Sequence, residues 1–114
     1  MWRRKVTVMP KYLWQISYTA EGARGLAAEG GTGRRAAVEE MLTSVGGRLE
    51  AFYYAFGAED LVVIADVPDN VSVAALSLRT AIGGAARSRT TVLLTPEEID
   101  EASRRDVEYR PPGS

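Results

Sequence analysis

Residues 48–69 read RLEAFYYAFGAEDLVVIADVPD, an aromatic run and an aliphatic run joined by a short polar break. Aromatic and β-branched side chains favour strands, and Gly57 and Asp60 are residue types typical of a tight reversal. We therefore predict a β-hairpin with a positive φ angle at Gly57, where a valine would cost about 1 to 3 kcal/mol. The second arm, residues 61–65, is apolar at every position, which predicts a strand covered on both faces.

Length and composition indicate one globular domain. The chain has 114 residues, of which 46% are apolar and 25% are charged. Its formal net charge is −1, from 14 basic and 15 acidic residues, so we expect no nucleic acid partner. Cysteine and histidine are both absent, which removes disulfides and the usual transition-metal ligands. We therefore predict no metal and no other cofactor.

The termini and the hydropathy pattern suggest where the folded part lies. No stretch reaches the length of a membrane span, and the basic residues 3–5 are not followed by the apolar segment of a signal peptide. We expect a cytoplasmic protein without a membrane partner. Met9 is a second plausible start, so residues 1–8 are predicted to be an N-terminal extension. Residues 9–105 form the predicted domain, and residues 106–114, with paired prolines, a flexible tail.

Two helices are predicted between the first strand and the hairpin. Residues 11–18 alternate bulky and mixed side chains and predict the first strand. Thr19 suits the N-cap of a helix that Gly30 and Gly31 interrupt. The helix that follows has apolar residues at the spacing of one buried face. These residues are Val38, Met41, Leu42 and Val45.

A third helix, a fourth strand and a last helix follow the hairpin. Asp69 or Asn70 can cap the third helix. Its predicted buried stripe consists of Val71, Ala74, Ala75, Leu78 and Ile82. Residues 87–94 predict the fourth strand. Thr95 and Glu98 have the spacing of a capping box, which starts a last helix predicted to end near Arg105.

This order of elements predicts the ferredoxin-like fold, an α+β βαββαβ pattern with an antiparallel four-stranded sheet and an added C-terminal helix. In this fold the crossover helices cover one face of the sheet. The apolar third strand then needs another cover, for which a second copy of the chain is the simplest candidate. We predict a homodimer stacked sheet to sheet, or a higher homo-oligomer.

Three separated segments resemble the GYD-domain family in order and spacing. They are MPKYLWQISYTAEGARGLAAEGGTGRRAAVEE, LEAFYYAFGAEDLVVIADVPDN and RTTVLLTPEEID, which together extend from Met9 into the last helix near Ala102. The resemblance implies a dimeric α+β barrel. The Gly-Tyr-Asp signature of the family corresponds here to Gly57, Ala58, Glu59 and Asp60, with Glu59 at the tyrosine position.

Aromatic side chains are candidates for the wall of a ligand cavity. They are Trp14, Tyr18, Phe52, Tyr54 and Phe56. Arg87 and Arg89, two residues apart on one face of the fourth strand, could orient a carbonyl or carboxylate there. The alternative is that the aromatic residues form core and dimer interface. In that case Glu50, Asp66 or an acid of a partner chain pairs with the arginines.

Two turns are further candidates for binding. Gly57 and Asp60 could line a ligand site at the end of the hairpin, although turn geometry alone explains both. The glycine-rich residues 30–33 precede Arg34 and Arg35 and could bind an anion at a helix N-terminus. They lack the spacing of a phosphate-binding loop, so a helix break with solvated arginines is the alternative.

Three functions are compatible with the sequence, and a homo-oligomeric small-molecule-binding module ranks first. The second is a cofactor-free enzyme, an oxygenase, isomerase or cyclase acting on a small aromatic or polyketide-like compound. Its acid and base would come from Tyr18, Tyr54, Glu59 or Asp60, without a defined catalytic constellation. The third is an assembly protein without a ligand. A closed cavity lined by tyrosine and arginine would favour binding, and a tightly filled interior would favour assembly.

Overall fold

A computed structural model describes residues 9–114, so the predicted extension, residues 1–8, lies outside the described residues. The elements are β1 (Lys11–Tyr18), α1 (Ala20–Glu29), α2 (Gly31–Ser44), β2 (Arg48–Tyr54), β3 (Leu61–Asp66), α3 (Asn70–Gly83), β4 (Ala86–Leu93) and α4 (Pro96–Ser103). The predicted order of strands and helices is confirmed. The last strand begins and ends one residue earlier than predicted, and the last helix ends two residues earlier.

The four strands form one antiparallel sheet in the order β2-β3-β1-β4. This is the predicted ferredoxin-like arrangement, in which β2 and β3 of the hairpin are neighbours and β3 and β1 are the two central strands. The pairing places Trp14 of β1 opposite Val63 of β3. A register shift between Leu49 and Ala51 marks a bulge in β2.

Local capping explains where three helices begin. The hydroxyl of Thr19 accepts from the Gly22 N–H at 3.1 Å, and the carboxylate of Asp69 accepts from the Ser72 N–H at 2.8 Å. At the start of α4 both bonds of the predicted capping box are present, between Thr95 and Glu98. These bonds satisfy backbone donors that a helix cannot satisfy by itself.

The core lies between one face of the sheet and helices α2 and α3. Alternate residues of the two central strands, among them Trp14 and Val63, are buried there. Leu42 of α2 is also buried, and its helix neighbours Val38 and Met41 pack against the core. The predicted buried face of α2 is thereby confirmed. The buried apolar residues are Tyr12, Trp14, Leu42, Leu61, Val63, Ala65, Val67, Val73 and Leu76.

The predicted buried stripe of α3 is wrong. The side chains that α3 buries are Val73 and Leu76. Val71, Leu78 and Ile82 of the predicted stripe are instead 79%, 64% and 78% exposed. The helix carries apolar residues on two faces, and both have helical spacing. Packing on the sheet buries the face of Val73 and Leu76, whose other residues are small and polar. The periodicity of the helix alone does not show which of the two faces is buried.

The conformation predicted for Gly57 is also wrong. Among the described residues the glycines with positive φ are Gly30, Gly46, Gly84 and Gly113. The loop between β2 and β3 spans Ala55 to Asp60, and the Ala55 N–H donates to the Asp60 carbonyl at 2.9 Å. A loop of this length can reverse the chain without a left-handed residue at Gly57.

Gly57→Val is therefore expected to change the free energy of unfolding by less than about 0.5 kcal/mol. A Cβ atom at this position would meet no other atom within 4 Å. Denaturant melts of the two proteins test the expectation. A loss of 1 kcal/mol or more, as a positive φ would cause, would contradict the loop conformation described here.

Residues 104–114 contain neither helix nor strand. Their predicted flexibility stays a prediction. Within residues 9–114, no helix is long and apolar enough to cross a membrane.

Candidate functional site

The structure brings two of the candidate aromatic residues to one end of the sheet. Leu61 of β3 lies opposite Tyr54 on β2 and opposite Ile16 on β1, and Tyr18 is one pleat beyond Ile16. Tyr18 and Tyr54 therefore project from the helix-covered face on either side of β3. The Tyr54 hydroxyl donates to the Gly31 carbonyl at 3.0 Å.

The break between α1 and α2 lies beside these tyrosines. Gly30 has a φ angle of 86°, which ends α1 and starts α2 in a new direction. Across this break the Arg34 Nε lies 3.3 Å from a carboxylate oxygen of Glu29. We call Tyr18, Tyr54, Glu29 and Arg34 the tyrosine–arginine cluster.

The electrostatics of the cluster keep both hydroxyls protonated. Burial raises the pKa of Tyr18 to about 12, and the nearby Tyr54 adds to the rise. Burial also raises the pKa of Tyr54, against the lowering effect of Arg34. At neutral pH both tyrosines are therefore neutral hydrogen-bond donors, and the cluster combines them with one cation and one carboxylate.

Arg34 supplies the buried side-chain polar atom of this cluster that lacks a hydrogen-bond partner among the described residues. Its Nε atom is buried, and among the described residues it makes no hydrogen bond, because the nearby Glu29 oxygen is not in hydrogen-bonding geometry. A buried donor without an acceptor is costly. Chemically, the cluster is suited to receive an oxygen acceptor from outside the described chain.

The glycine-rich residues 30–33 lie at a helix N-terminus, as predicted, and their binding of an anion stays a prediction. Residues 31–33 form the first turn of α2, and the helix has no side-chain cap. Of the two candidate anion ligands, Arg34 belongs to the tyrosine–arginine cluster, whereas Arg35 is exposed.

Of the remaining aromatic candidates, Phe52 packs edge-on against Tyr54 with ring centroids 5.3 Å apart, while Trp14 and Phe56 lie apart from the cluster. Trp14 is 7% exposed and belongs to the core, while Phe56 is fully exposed in the hairpin loop. The pocket between sheet and helices has a volume of about 60 Å³ and a mainly apolar lining that includes Trp14, Met41 and Leu76. It is far smaller than ligand sites, which typically measure about 300–1,000 Å³. The interior is thus tightly filled, which favours an assembly function over a ligand enclosed in the core and limits binding to sites at the edge of the core.

The two strand arginines lie on the other face of the sheet. Arg87 is opposite Ser17, and Arg89 is opposite Gln15, so both alternate away from Trp14 and Tyr18. The structure therefore does not bring Arg87 or Arg89 together with the candidate aromatic residues. Neither arginine pairs with Glu50 or Asp66 as predicted, because both of these acids bind Lys11 at the far end of the sheet.

Glu59, rather than Glu50 or Asp66, pairs with Arg89. Its carboxylate accepts a hydrogen bond from Arg89 and another, at 3.0 Å, from the Ser17 hydroxyl. It thereby links the hairpin loop to β1 and β4. Asp60 has a similar role, since its carboxylate accepts from the Tyr18 N–H at 2.8 Å and its own N–H donates to the Ile16 carbonyl. These hydrogen bonds fix the hairpin loop to β1.

The part of β1, β2 and β3 that faces away from the helices forms the open face. It consists of Leu13, Gln15, Ala51, Tyr53, Val62 and Ile64. Leu13, Val62 and Ile64 are half-buried, and Tyr53 is 71% exposed. The third strand therefore has one face in the core and one apolar face that the helices leave uncovered.

Sequence reasoning missed Glu29. A signal was available, because a glycine break between an acid and an arginine brings their side chains to the same bend. No group of three or more His, Cys, Asp or Glu residues that could hold a metal ion occurs in the described part of the chain.

Comparison with known proteins identifies the family. The family model of the GYD domain matches residues 12–103. The chain belongs to the GYD-domain family. Comparison of this GYD-domain chain with curated proteins finds no match.

A solved structure shares the fold. The feast or famine regulatory protein from M. tuberculosis, complexed with L-methionine, is similar with a TM-score of 0.51 and 16% sequence identity. The match covers 83% of the GYD-domain chain and 60% of the other, so the present chain is similar to only part of that protein. At this identity the likeness shows the fold alone.

Proposed function

We propose that this GYD-domain chain is a homo-oligomeric module that binds a small molecule carrying a carboxylate or carbonyl oxygen at the tyrosine–arginine cluster. The observation that carries the proposal is the buried Nε of Arg34, which lacks an acceptor among the described residues. A ligand oxygen would remove the cost of leaving this donor unpaired and would form a charge-assisted hydrogen bond.

The surroundings of Arg34 narrow the class of ligand. Tyr18 and Tyr54 offer ring surface and neutral hydroxyls, which suit a small molecule with an apolar or planar part. Glu29 could accept from an amino group. The combination of a cation and a carboxylate matches the two charges of an α-amino acid, and the fold neighbour from M. tuberculosis is complexed with L-methionine.

The homo-oligomeric part of the proposal is supported by the open face. Its half-buried apolar residues, such as Leu13 and Ile64, lie beside the exposed Tyr53. Stacking this face on that of a second copy buries the apolar area that the helices leave uncovered.

A thermal-shift screen with α-amino acids and simple aromatic carboxylates tests ligand binding. At a concentration 100 times Kd, a ligand stabilises the folded state by about 2.7 kcal/mol, enough to raise Tm by several degrees. We expect Arg34→Ala to abolish the shift. Arg35→Ala is the matched control, since it removes the same charge from the adjacent exposed position and should keep the shift.

Equal stabilisation of the wild type and both variants would show that Arg34 does not hold the ligand. A panel in which no compound raises the Tm of the wild type would contradict binding of this ligand class. Tyr54→Phe provides a second check, because it removes one hydroxyl while the ring remains.

A further inference from the structure

The outer side of α3 carries apolar residues that the described chain leaves exposed. We call Val71, Ala74, Ala75, Leu78 and Ile82 the α3 stripe; all five are exposed or at the protein surface. Val71, Leu78 and Ile82 recur at the spacing of a helix that packs along a second element. Small alanines between them leave room for a close approach.

A groove of about 800 Å³ runs between α3 and the edge strand β4. The α3 stripe forms one wall through Leu78, and β4 forms the other through Ala86 and Thr90. Its apolar and small residues can receive a short helix. Arg87 lies at its border. We call it the α3–β4 groove.

The C-terminal arm, residues 94–110, is the second unpartnered feature. Its helix α4 is fixed by a capping box, yet none of its eight residues is buried. Leu94, Ile99, Val107 and Tyr109 are 55%, 52%, 79% and 73% exposed. The described chain has a radius of gyration of 17.9 Å, against about 13 Å for a compact domain of similar length. The arm therefore extends away from the body.

The arm and the groove have opposite charges. Residues 70–89 hold three arginines and no acidic residue, and residues 95–110 hold six acidic residues and three arginines. Arg89 is bound to Glu59. Arg79 on α3 has no ion pair within residues 9–114 and can receive a carboxylate of α4, whereas the side chain of Arg87 alternates to the other face of the sheet.

We propose that the C-terminal arm of one copy docks in the α3–β4 groove of a second copy, with Ile99 against Leu78 and Ile82. The arm is a poor fit for the groove of its own chain. β4 ends opposite Lys11, whereas Ala86 in the groove lies opposite Tyr18 at the other end of the strand. The eight residues of β4 separate these ends by about 25 Å. Because two residues connect β4 to α4, the helix cannot reach the Ala86 end of the groove, and with none of its eight residues buried it does not lie in the nearer part at Thr90 either.

This surface is distinct from the open face, because the α3–β4 groove lies on the helix-bearing side of the sheet. Docking of the arm is also independent of ligand binding at the tyrosine–arginine cluster. If both surfaces are used, each copy contacts partners in two ways, and the assembly is larger than a dimer.

Cross-linking tests the proposal cleanly because the chain contains no cysteine. Full-length Leu78→Cys and Ile99→Cys chains are mixed in equal amounts, oxidised gently and separated without reductant. We expect a disulfide between the two different chains as the main product, since docking brings these Cβ atoms within bonding distance. Ala36→Cys, exposed on α2, is the matched control and should give little product with Ile99→Cys.

Three results would overturn the proposal. A Leu78→Cys homodimer as the main product would mean that the α3 stripe packs on its equivalent in a second copy. A second sample is a single chain that carries both cysteines. A disulfide within that chain, with no disulfide between chains in the mixture, would place the arm on its own α3. No cross-link in either sample would mean that the arm does not dock. Ile99→Asp adds a measurement in solution: it should lower the mass found by light scattering while the circular dichroism spectrum is unchanged.

Discussion

Val63→Asp is expected to abolish folding, whereas Val62→Asp at the adjacent position should keep the fold and weaken association. Val63 is 3% exposed and lies opposite Trp14 and Phe52 in the core. Val62 is half-buried on the open face, opposite Gln15 and Tyr53. The two substitutions introduce the same carboxylate on the two faces of one strand.

The expected difference follows from desolvation. A fully buried carboxyl group shifts its pKa upward by about 3 to 5 units and is therefore protonated in the folded state, which costs about 4 kcal/mol at neutral pH in addition to lost packing. That is comparable to the whole stability of a small domain, about 5–15 kcal/mol. On the open face the carboxylate keeps its contact with water until a second copy covers it, so the cost falls on association.

Circular dichroism and light scattering at micromolar concentration distinguish these outcomes. The wild type should have the mass of a dimer or a larger assembly, and Val62→Asp should have a smaller mass with the same spectrum. A folded Val63→Asp protein beside an unfolded Val62→Asp protein would mean that the two faces are assigned the wrong way round. A wild-type monomer would refute the proposed use of the open face.

Gly22→Ala is expected to destabilise the fold by about 3 kcal/mol, the upper end of what overpacking costs. A Cβ atom at Gly22 would lie 1.9 Å from the carbonyl oxygen of Ala85. This oxygen cannot move freely, because it accepts from the Thr19 N–H at 3.0 Å and from the Thr19 hydroxyl at 3.2 Å. The first turn of α1 is thus held against the start of β4 by a contact that only glycine permits.

Gly25→Ala is the matched control in the same helix. Its Cβ would meet no atom within 4 Å, so alanine should stabilise α1 by about 0.5–1 kcal/mol through its higher helix propensity. Denaturant unfolding of both variants gives the two free energies. Similar changes in the two variants would contradict the close approach of α1 to Ala85.

The candidate site could be predicted only in parts. Tyr18, Tyr54 and Arg34 were recognisable as residue types, but their meeting depends on the pairing of both strands with β3 and on the bend at Gly30. Arg87 and Arg89 do not lie beside the aromatic residues as predicted. Strand alternation places the two groups on opposite faces once the register of β4 with β1 is fixed.

The order and type of the elements follow from local patterns in the sequence alone. Alternation in residues 11–18, the capping box at Thr95 and the two apolar arms around Gly57 each act within a few residues. The ferredoxin-like fold follows from that order. Packing in the folded chain selects which stripe of α3 is buried and which acid binds Arg89. Each of these depends on atoms that are distant in the chain. Where two local patterns fit the sequence equally well, packing against those distant atoms decides between them.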